Sequence, residues 1–362
     1  MNEVLFFGKN QTEKITKPIQ FEIENENENE KQIKQISSSY FSTIFLFENG
    51  KGIEYLNPEF SNSKQNPQKI QIEENIQKVT VGYLNEAILT KEGNVFAKGI
   101  DINKTEFINI SSLIEDENDR IIQDVICSSR SIYLLTSNQN AYGIGFNDFG
   151  QIAVQSIQKT QKPILMMKNV SKIFSGNSST HVFLLNSNQE LFGCGWNQYG
   201  QLGLGESIKE TKVNKLTQIQ NIPKGKIIDI QCGNMHSIML IENENQNQNP
   251  KRYLYSCGYG SFNGLGETEN TYQFTEIKLP LLSENDNILD FSCGYSHNLI
   301  LTSNFQLIGF GDNDYGQLGN GNTNFQFIPI QIELPELRFN DYLSNYHIFC
   351  GFNNSFLYYL KF

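Results

Sequence analysis

The chain has 362 residues, among them 28 glycines, and carries 39 acidic against 28 basic side chains, for a net charge of −11. With only four arginines (Arg120, Arg130, Arg252 and Arg338) it is a poor candidate for binding nucleic acid through bulk charge. It shows no apolar run of about 18 residues and no secretory apolar segment, so an intracellular, cytoplasmic protein that does not insert into a membrane is expected.

From the amino terminus, Val4–Gly8 reads as a strand ending on glycine. Pro18–Ile23, Ile33–Ser37, Thr43–Phe47 and Gly52–Leu56 follow, read together as the first four-stranded unit. A run of alternating Glu and Asn at 24–30 interrupts it, and a second such run lies at 242–249. Both are too polar to bury and read as solvated loops. The second unit takes Ile70–Ile72, Val79–Val81, Ala87–Thr90 and Val95–Gly99. The third runs from Phe107 through Ile121–Ile126 and Ile132–Thr136 to Ala141–Gly145. Units four, five and six begin near Pro163, Lys215 and Ile277, and the seventh at Pro329.

One apolar position fixes the register of all of them. Leu46, Leu89, Leu135, Leu185, Leu240, Leu301 and Tyr358 recur at spacings of 43 to 61 residues, the range of a repeated supersecondary unit. A further strand follows six of these anchors, at 52–56, 95–99, 141–145, 191–195, 254–258 and 307–311, and all but the first of them end on glycine. The last anchor has no such strand after it, and Val4–Gly8 supplies one. Pairing the two ends would remove both open sheet edges, so the fold class expected is all-β: a closed seven-bladed propeller of four-stranded antiparallel blades, one domain over 1–362, in which residues 1–10 complete the C-terminal blade.

Repetition also disposes of most candidate chemistry. Gly145–Gly150, Gly195–Gly200 and Gly311–Gly316 match half of a phosphate loop, but Gln follows in place of Lys-Ser/Thr and no helix pattern comes after. Cys127, Cys232, Cys293 and Cys350 share one repeat position and Cys194 and Cys257 another; they read as small buried thiols. His181, His236 and His297 are also equivalent. Neighbouring blades hold equivalent atoms about 10 Å apart, beyond the reach of one metal ion, so they read as structural. No catalytic, cofactor-binding or metal-binding set is assigned.

Charge placement is what remains. Loops alternate between the two ends of an antiparallel sheet, so the loop between the first and second strands of a unit shares an end with the hairpin between its third and fourth strands. About half of the acidic residues fall in these two sets, including Glu73, Glu74, Glu115, Asp116, Glu117, Asp119, Glu284 and Asp286, with Glu336 and Asp341 further on. This end is expected to be acidic and suited to a basic partner. The opposite end gathers aromatic residues in Gly/Asn loops, among them Phe149, Trp196, Tyr199, Phe262 and Tyr315, a composition suited to protein contacts.

At GFNDFGQI (145–152), GWNQYGQLGLG (195–205) and GDNDYGQLGNG (311–321), together with G-x-x-H ahead of an apolar strand, the sequence resembles the regulator of chromosome condensation family. That resemblance implies a seven-bladed propeller closed by an N-terminal strand. It also implies two functions: nucleotide exchange on a Ran-like small GTPase and attachment to chromatin. Exchange in the family needs acidic side chains and a protruding wedge, whereas this chain has Asn147, Asn197 and Asn313 at the matching loop position, and no exchange residues are transferred. Chromatin attachment uses a basic tail that an acidic chain lacks. A non-catalytic scaffold or adaptor that binds other proteins, without cofactor or small-molecule substrate, is therefore the leading expectation, with exchange on a small GTPase second.

Overall fold

Period-two strands with glycine-ended hairpins need partners on both edges, and here they find them within blades of four. The structure, a computed structural model, describes residues 4–9, 14–20, 32–56, 67–99, 103–243, 250–280, 286–335 and 345–360. Among these residues seven four-stranded antiparallel sheets form, the blades of a seven-bladed β-propeller. The polar runs at 24–30 and 244–249, and Glu284, Glu336 and Asp341, lie outside the described residues.

β1 (Val4–Lys9) and β2 (Lys14–Gln20) come first. Blade 1 is β3 (Ile33–Ser38), β4 (Ser42–Phe47), β5 (Gly52–Leu56) and β6 (Gln68–Lys69). Blade 2 is β7 (Ile76–Val81), β8 (Asn85–Thr90), β9 (Val95–Gly99) and β10 (Asn103–Asn109). Blade 3 is β11 (Ile122–Cys127), β12 (Ser131–Thr136), β13 (Ala141–Phe146) and β14 (Lys159–Met167). Blade 4 is β15 (Val170–Phe174), β16 (His181–Asn186), β17 (Leu191–Trp196) and β18 (Lys212–Gln218). Blade 5 is β19 (Lys226–Cys232), β20 (His236–Asn243), β21 (Lys251–Gly258) and β22 (Thr271–Glu276). Blade 6 is β23 (Ile288–Cys293), β24 (His297–Thr302), β25 (Leu307–Gly311) and β26 (Gln326–Ile332). β27 (Tyr346–Cys350) and β28 (Asn354–Tyr359) join β1 and β2 in blade 7.

The joining of the two termini is direct: Val4 lies opposite Tyr358 and Gly8 opposite Asn354. The blade boundaries differ from the sequence reading by one strand. Pro18, Pro163 and Pro329 lie in the fourth, outer strand of a blade and do not open the next one, so the amino terminus supplies two strands of blade 7. The physical reason is that proline brings no N–H to a ladder and is tolerated at an edge, where one side of the strand has no partner. The shift leaves the assignment of loops to sheet ends unchanged, because alternation along an antiparallel sheet does not depend on where a blade is taken to start.

The chain forms two compact units. Blades 1 to 4 make up one; blades 5 to 7, with Tyr199–Gly203, make up the other. In each, the core lies between successive sheets. Leu89, Val95 and Ala97 of blade 2 pack on Val125, Ile132 and Leu134 of blade 3, and Leu299, Leu301 and Leu307 of blade 6 on Phe7, Ile348 and Leu357 of blade 7. Second strands such as β12 and β24 are buried along their whole length, being covered by a sheet on either side, which is why they read as unbroken apolar runs.

Candidate functional site

The recurrent motif is consumed by blade-to-blade packing. In blades 5 and 6 a glycine, Gly233 or Gly294, stands three residues ahead of His236 or His297, and a Cβ on either would overlap the imidazole ring. The spacing G-x-x-H therefore recurs because the ring needs that space. Each ring then reaches the next blade: His236 Nε2 lies 2.6 Å from Asn298 Oδ1 and His297 Nε2 2.9 Å from Ser355 Oγ. Burial lowers the pKa of His236 to about 4 and, with the neighbouring His236, that of His297 to about 3, so both rings are neutral pins between blades. Among the described residues no group of three or more His, Cys, Asp or Glu is placed to hold a metal ion.

The loop between third and fourth strands works the same way. Buried Asn147 donates from Nδ2 to the carbonyls of Val154 and Ile157 and accepts the Ile152 N–H. Asn313 does the same with the Asn322 carbonyl and the Leu318 N–H. Gln151, Gln201 and Gln317 accept the backbone N–H of Phe149, Tyr199 and Tyr315. The main-chain carbonyls of these glutamines accept from the following blade: Gln151 from Cys194, Gln201 from Ser237 and Cys257, Gln317 from Ser355. Asparagine, glutamine and glycine thus build the loop and latch it, leaving the aromatic side chain at the surface.

In the unit of blades 1 to 4, Phe149 and Trp196 lie 5.5 Å apart, and Lys212 sits 5.4 Å over Phe149. Arg130 covers Phe146 at 3.4 Å and also pairs with Asp148. At the same end of blades 1 and 2, the turns between first and second strands bring Tyr40, Phe41 and Tyr83 into one cluster, with centroids 5.1 to 5.9 Å apart. The sequence reading missed this cluster because these blades lack the Gly/Asn loop. In the unit of blades 5 to 7, Tyr199, Tyr259 and Phe262 meet edge to face in succession at 5.1 and 5.0 Å, Phe262 lies 6.0 Å from Phe325, and Phe325 lies 4.6 Å from Phe327. Tyr315 stands beneath Lys9 and Lys14. Of the five predicted aromatic residues, the structure joins Phe149 with Trp196 and links Tyr199 to Phe262 through Tyr259.

The acidic end divides by role. Glu74 accepts from Thr90 and Asn94, Asp119 from Asn138, Asn140 and Tyr142, and Asp286 from Asn304, so these three clamp hairpins of their own blades. Burial opposes the Asp119 charge, but the Tyr142, Asn140 and Asn138 bonds outweigh it and hold the carboxyl below its usual range. Glu73, Glu115, Asp116 and Glu117 are exposed, with Glu117 paired to Arg120 and Asp116 capping the short turn that follows it. Lys51, Lys91 and Lys168, at the same end of this unit, are exposed as well.

One charged cluster lies inside. Where blades 3, 4 and 6 carry Gly143, Gly193 and Gly309, blade 1 carries Glu54, 3% exposed, and in blade 2 the second strand carries Glu86 opposite Lys98. Lys98 Nζ reaches Glu54 at 2.6 Å and Glu86 at 3.3 Å, Ser42 donates to Glu86 at 2.6 Å, and the Phe107 ring covers the ammonium. Burial, and then Glu54, raise the Glu86 carboxyl to about 7, while Lys98 opposes them. Burial works against the Lys98 charge, but Glu86 and Glu54 outweigh it and raise the amine. This cluster joins blades 1 and 2 where the glutamine latch joins blades 3 and 4.

Two of these loops, at 195–205 and 311–321, lie in stretches that match a known family. The regulator of chromosome condensation (RCC1) repeat family matches residues 188–240, 288–317 and 306–357. Over 170 residues, 40% of this chain, the sequence is 30% identical to an RCC1 domain-containing protein of Dictyostelium discoideum, 31% of which is covered. It is 32% identical over 113 residues to the human X-linked retinitis pigmentosa GTPase regulator, covering 31% of this chain and 10% of that one. The matched stretches therefore span a third or less of these relatives. Among solved structures, human WBSCR16 superposes with a TM-score of 0.78 at 17% identity over all of both chains. Prp20p of Saccharomyces cerevisiae, a protein described with its binding to Gsp1p and histones, gives 0.78 at 16% over all of this chain and 92% of that one. At these identities the likeness is one of fold.

Proposed function

Starting from a chain that carries regulator of chromosome condensation repeats on a seven-bladed propeller, we propose that it is a non-catalytic protein-interaction module, an adaptor subunit of an intracellular assembly. One observation carries this reading. The polar groups of the repeated loop are turned inward to latch blades, while the aromatic residue of each loop stays at the surface beside its neighbours. Rigid aromatic side chains on a latched frame lose little freedom on binding, the property of an interaction hot spot. The experiment is affinity capture from cells with the full chain and with a Phe149→Ala/Trp196→Ala variant. A stable complex that survives with the parent and is lost with the variant supports the adaptor; equal capture by both removes the Phe149–Trp196 pair from the binding surface.

A second reading is nucleotide exchange on a small GTPase, supported by the Gsp1p named with Prp20p and by the GTPase regulator among the relatives. Release of labelled GDP from a panel of small GTPases, accelerated by catalytic amounts of this chain, would establish it. Rates equal to the spontaneous ones across the panel would leave the adaptor alone.

A further inference from the structure

The aromatic of the third-to-fourth-strand loop occurs at one aligned position in four blades: Phe149, Tyr199, Phe262 and Tyr315. Two of these rings carry an ammonium group from the next blade. Lys212, the first residue of β18, lies 5.4 Å over Phe149, and Lys14, the first residue of β2, lies 5.2 Å over Tyr315, with Lys9 at 5.6 Å. In each case a cation satisfies the negative face of the ring. At Phe262 the corresponding first residue, of β26, is Gln326, and among the described residues the ring packs against those of His236, Tyr259 and Phe325.

The apolar surface continues outward from there. Phe325 stacks on Phe327, which is 44% exposed, and Ile328 beside it is 57% exposed. The loop of blade 5 crosses this patch: the Gly266 N–H donates to the Phe327 carbonyl at 3.2 Å, so exposed Glu267 and Glu269 lie along its margin. The charged side chains of the two loops, Glu267, Glu269, Asp312 and Asp314, are all acidic. The nearby lysines of β2 are turned to Tyr315, in the case of Lys14, and to Gly321, in the case of Lys17.

Resting on the interaction reading above, we infer that the Phe262–Phe325–Phe327 surface of blades 5 and 6 binds an arginine side chain of a partner protein, flanked by apolar residues. The guanidinium supplies the cation that the chain itself supplies at Phe149 and Tyr315. Its planar face lies on the rings and its N–H groups meet Glu267 and Glu269. Arginine fits better than lysine because it is less strongly hydrated and stacks through a plane. The apolar neighbours of the arginine cover Phe327 and Ile328.

The test is selection of binders from a random-peptide display library on the full-length protein, followed by affinity measurements on synthetic copies of the enriched peptides. Enrichment of arginine next to aromatic or aliphatic residues is expected. Replacing that arginine by citrulline, which keeps the shape and loses the charge, should weaken binding at least about tenfold. Phe327→Ala and the Glu267→Gln/Glu269→Gln pair, each confirmed by its melting temperature to remain folded, should each weaken it to a similar degree. No enrichment, enriched peptides without a basic residue, or binding indifferent to citrulline and to Phe327→Ala overturns the assignment. If Phe327→Ala captures the cellular partner as well as the parent does, this site falls and the adaptor reading stands. If neither the parent nor any variant captures a partner, the adaptor reading falls with it.

Discussion

Lys98 Nζ lies 2.6 Å from Glu54 Oε2 across the boundary between blades 1 and 2, in a site where Glu86 competes for the same ammonium. Three buried charges of which two are alike hold a proton near neutrality, and stability should report it. The Glu86 carboxyl titrates near 4.5 when unfolded and at about 7 when folded. Its contribution is complete below pH 4.5 and is lost as pH rises towards 7, with a slope of up to about 1.4 kcal/mol per pH unit. Glu86→Gln removes this fall, so the difference between parent and variant in urea unfolding should change between pH 5 and 7. Parallel curves over that interval contradict the assignment.

The histidine pins act with the opposite sign. His236 and His297 titrate near 6.5 when unfolded and at about 4 and about 3 when folded. The stability they contribute is complete above pH 6.5 and is lost as pH falls through this window, because the unfolded rings take up protons that the folded rings refuse. Unfolding of a His297→Gln variant followed from pH 7 to pH 4.5 should decline less steeply than that of the parent.

Ser355 is held from two sides, donating to the Gln317 carbonyl at 2.8 Å and meeting His297 Nε2 at 2.9 Å. Ser355→Ala leaves two buried polar groups without that partner and should cost about 1–3 kcal/mol of unfolding free energy. A loss below a few tenths would show that the pin between blades 6 and 7 contributes nothing.

Gly294→Ala places a methyl group where the His297 ring and the Gly351 carbonyl already lie. The expected loss is about 1–3 kcal/mol or more. The double variant with His297→Ala should recover part of it, which chemical denaturation of the four-member cycle would measure.

Much of the fold was legible because its signals are local and repeated. His297–Thr302, Leu307–Gly311 and Gly52–Leu56 are strands within the bounds that alternation and glycine set. The blade phase was not, since a strand flanked by two loops reads the same whether it closes one sheet or opens the next, and only the pairing of β14 with β13 and of β26 with β25 decides it. The Glu54–Glu86–Lys98 cluster was hidden for a different reason. Glu54 and Lys98 lie 44 residues apart in blades that lack the loop motif, and the one available clue was a carboxylate at a position where blades 3, 4 and 6 have glycine. Composition cannot separate Glu74 and Asp119, which clamp hairpins, from Glu73 and Glu115, which face solvent.

Lysines stand at both ends of the blades of one unit: Lys159 and Lys212 beside the aromatic loops, Lys51, Lys91 and Lys168 beside the hairpins. Amine cross-linking of the captured complex, read by mass spectrometry, therefore reports which end meets the partner. Binding through the aromatic loops yields cross-links from Lys159 and Lys212 to the partner; cross-links confined to Lys51, Lys91 and Lys168 would place the partner at the other end and overturn that binding mode.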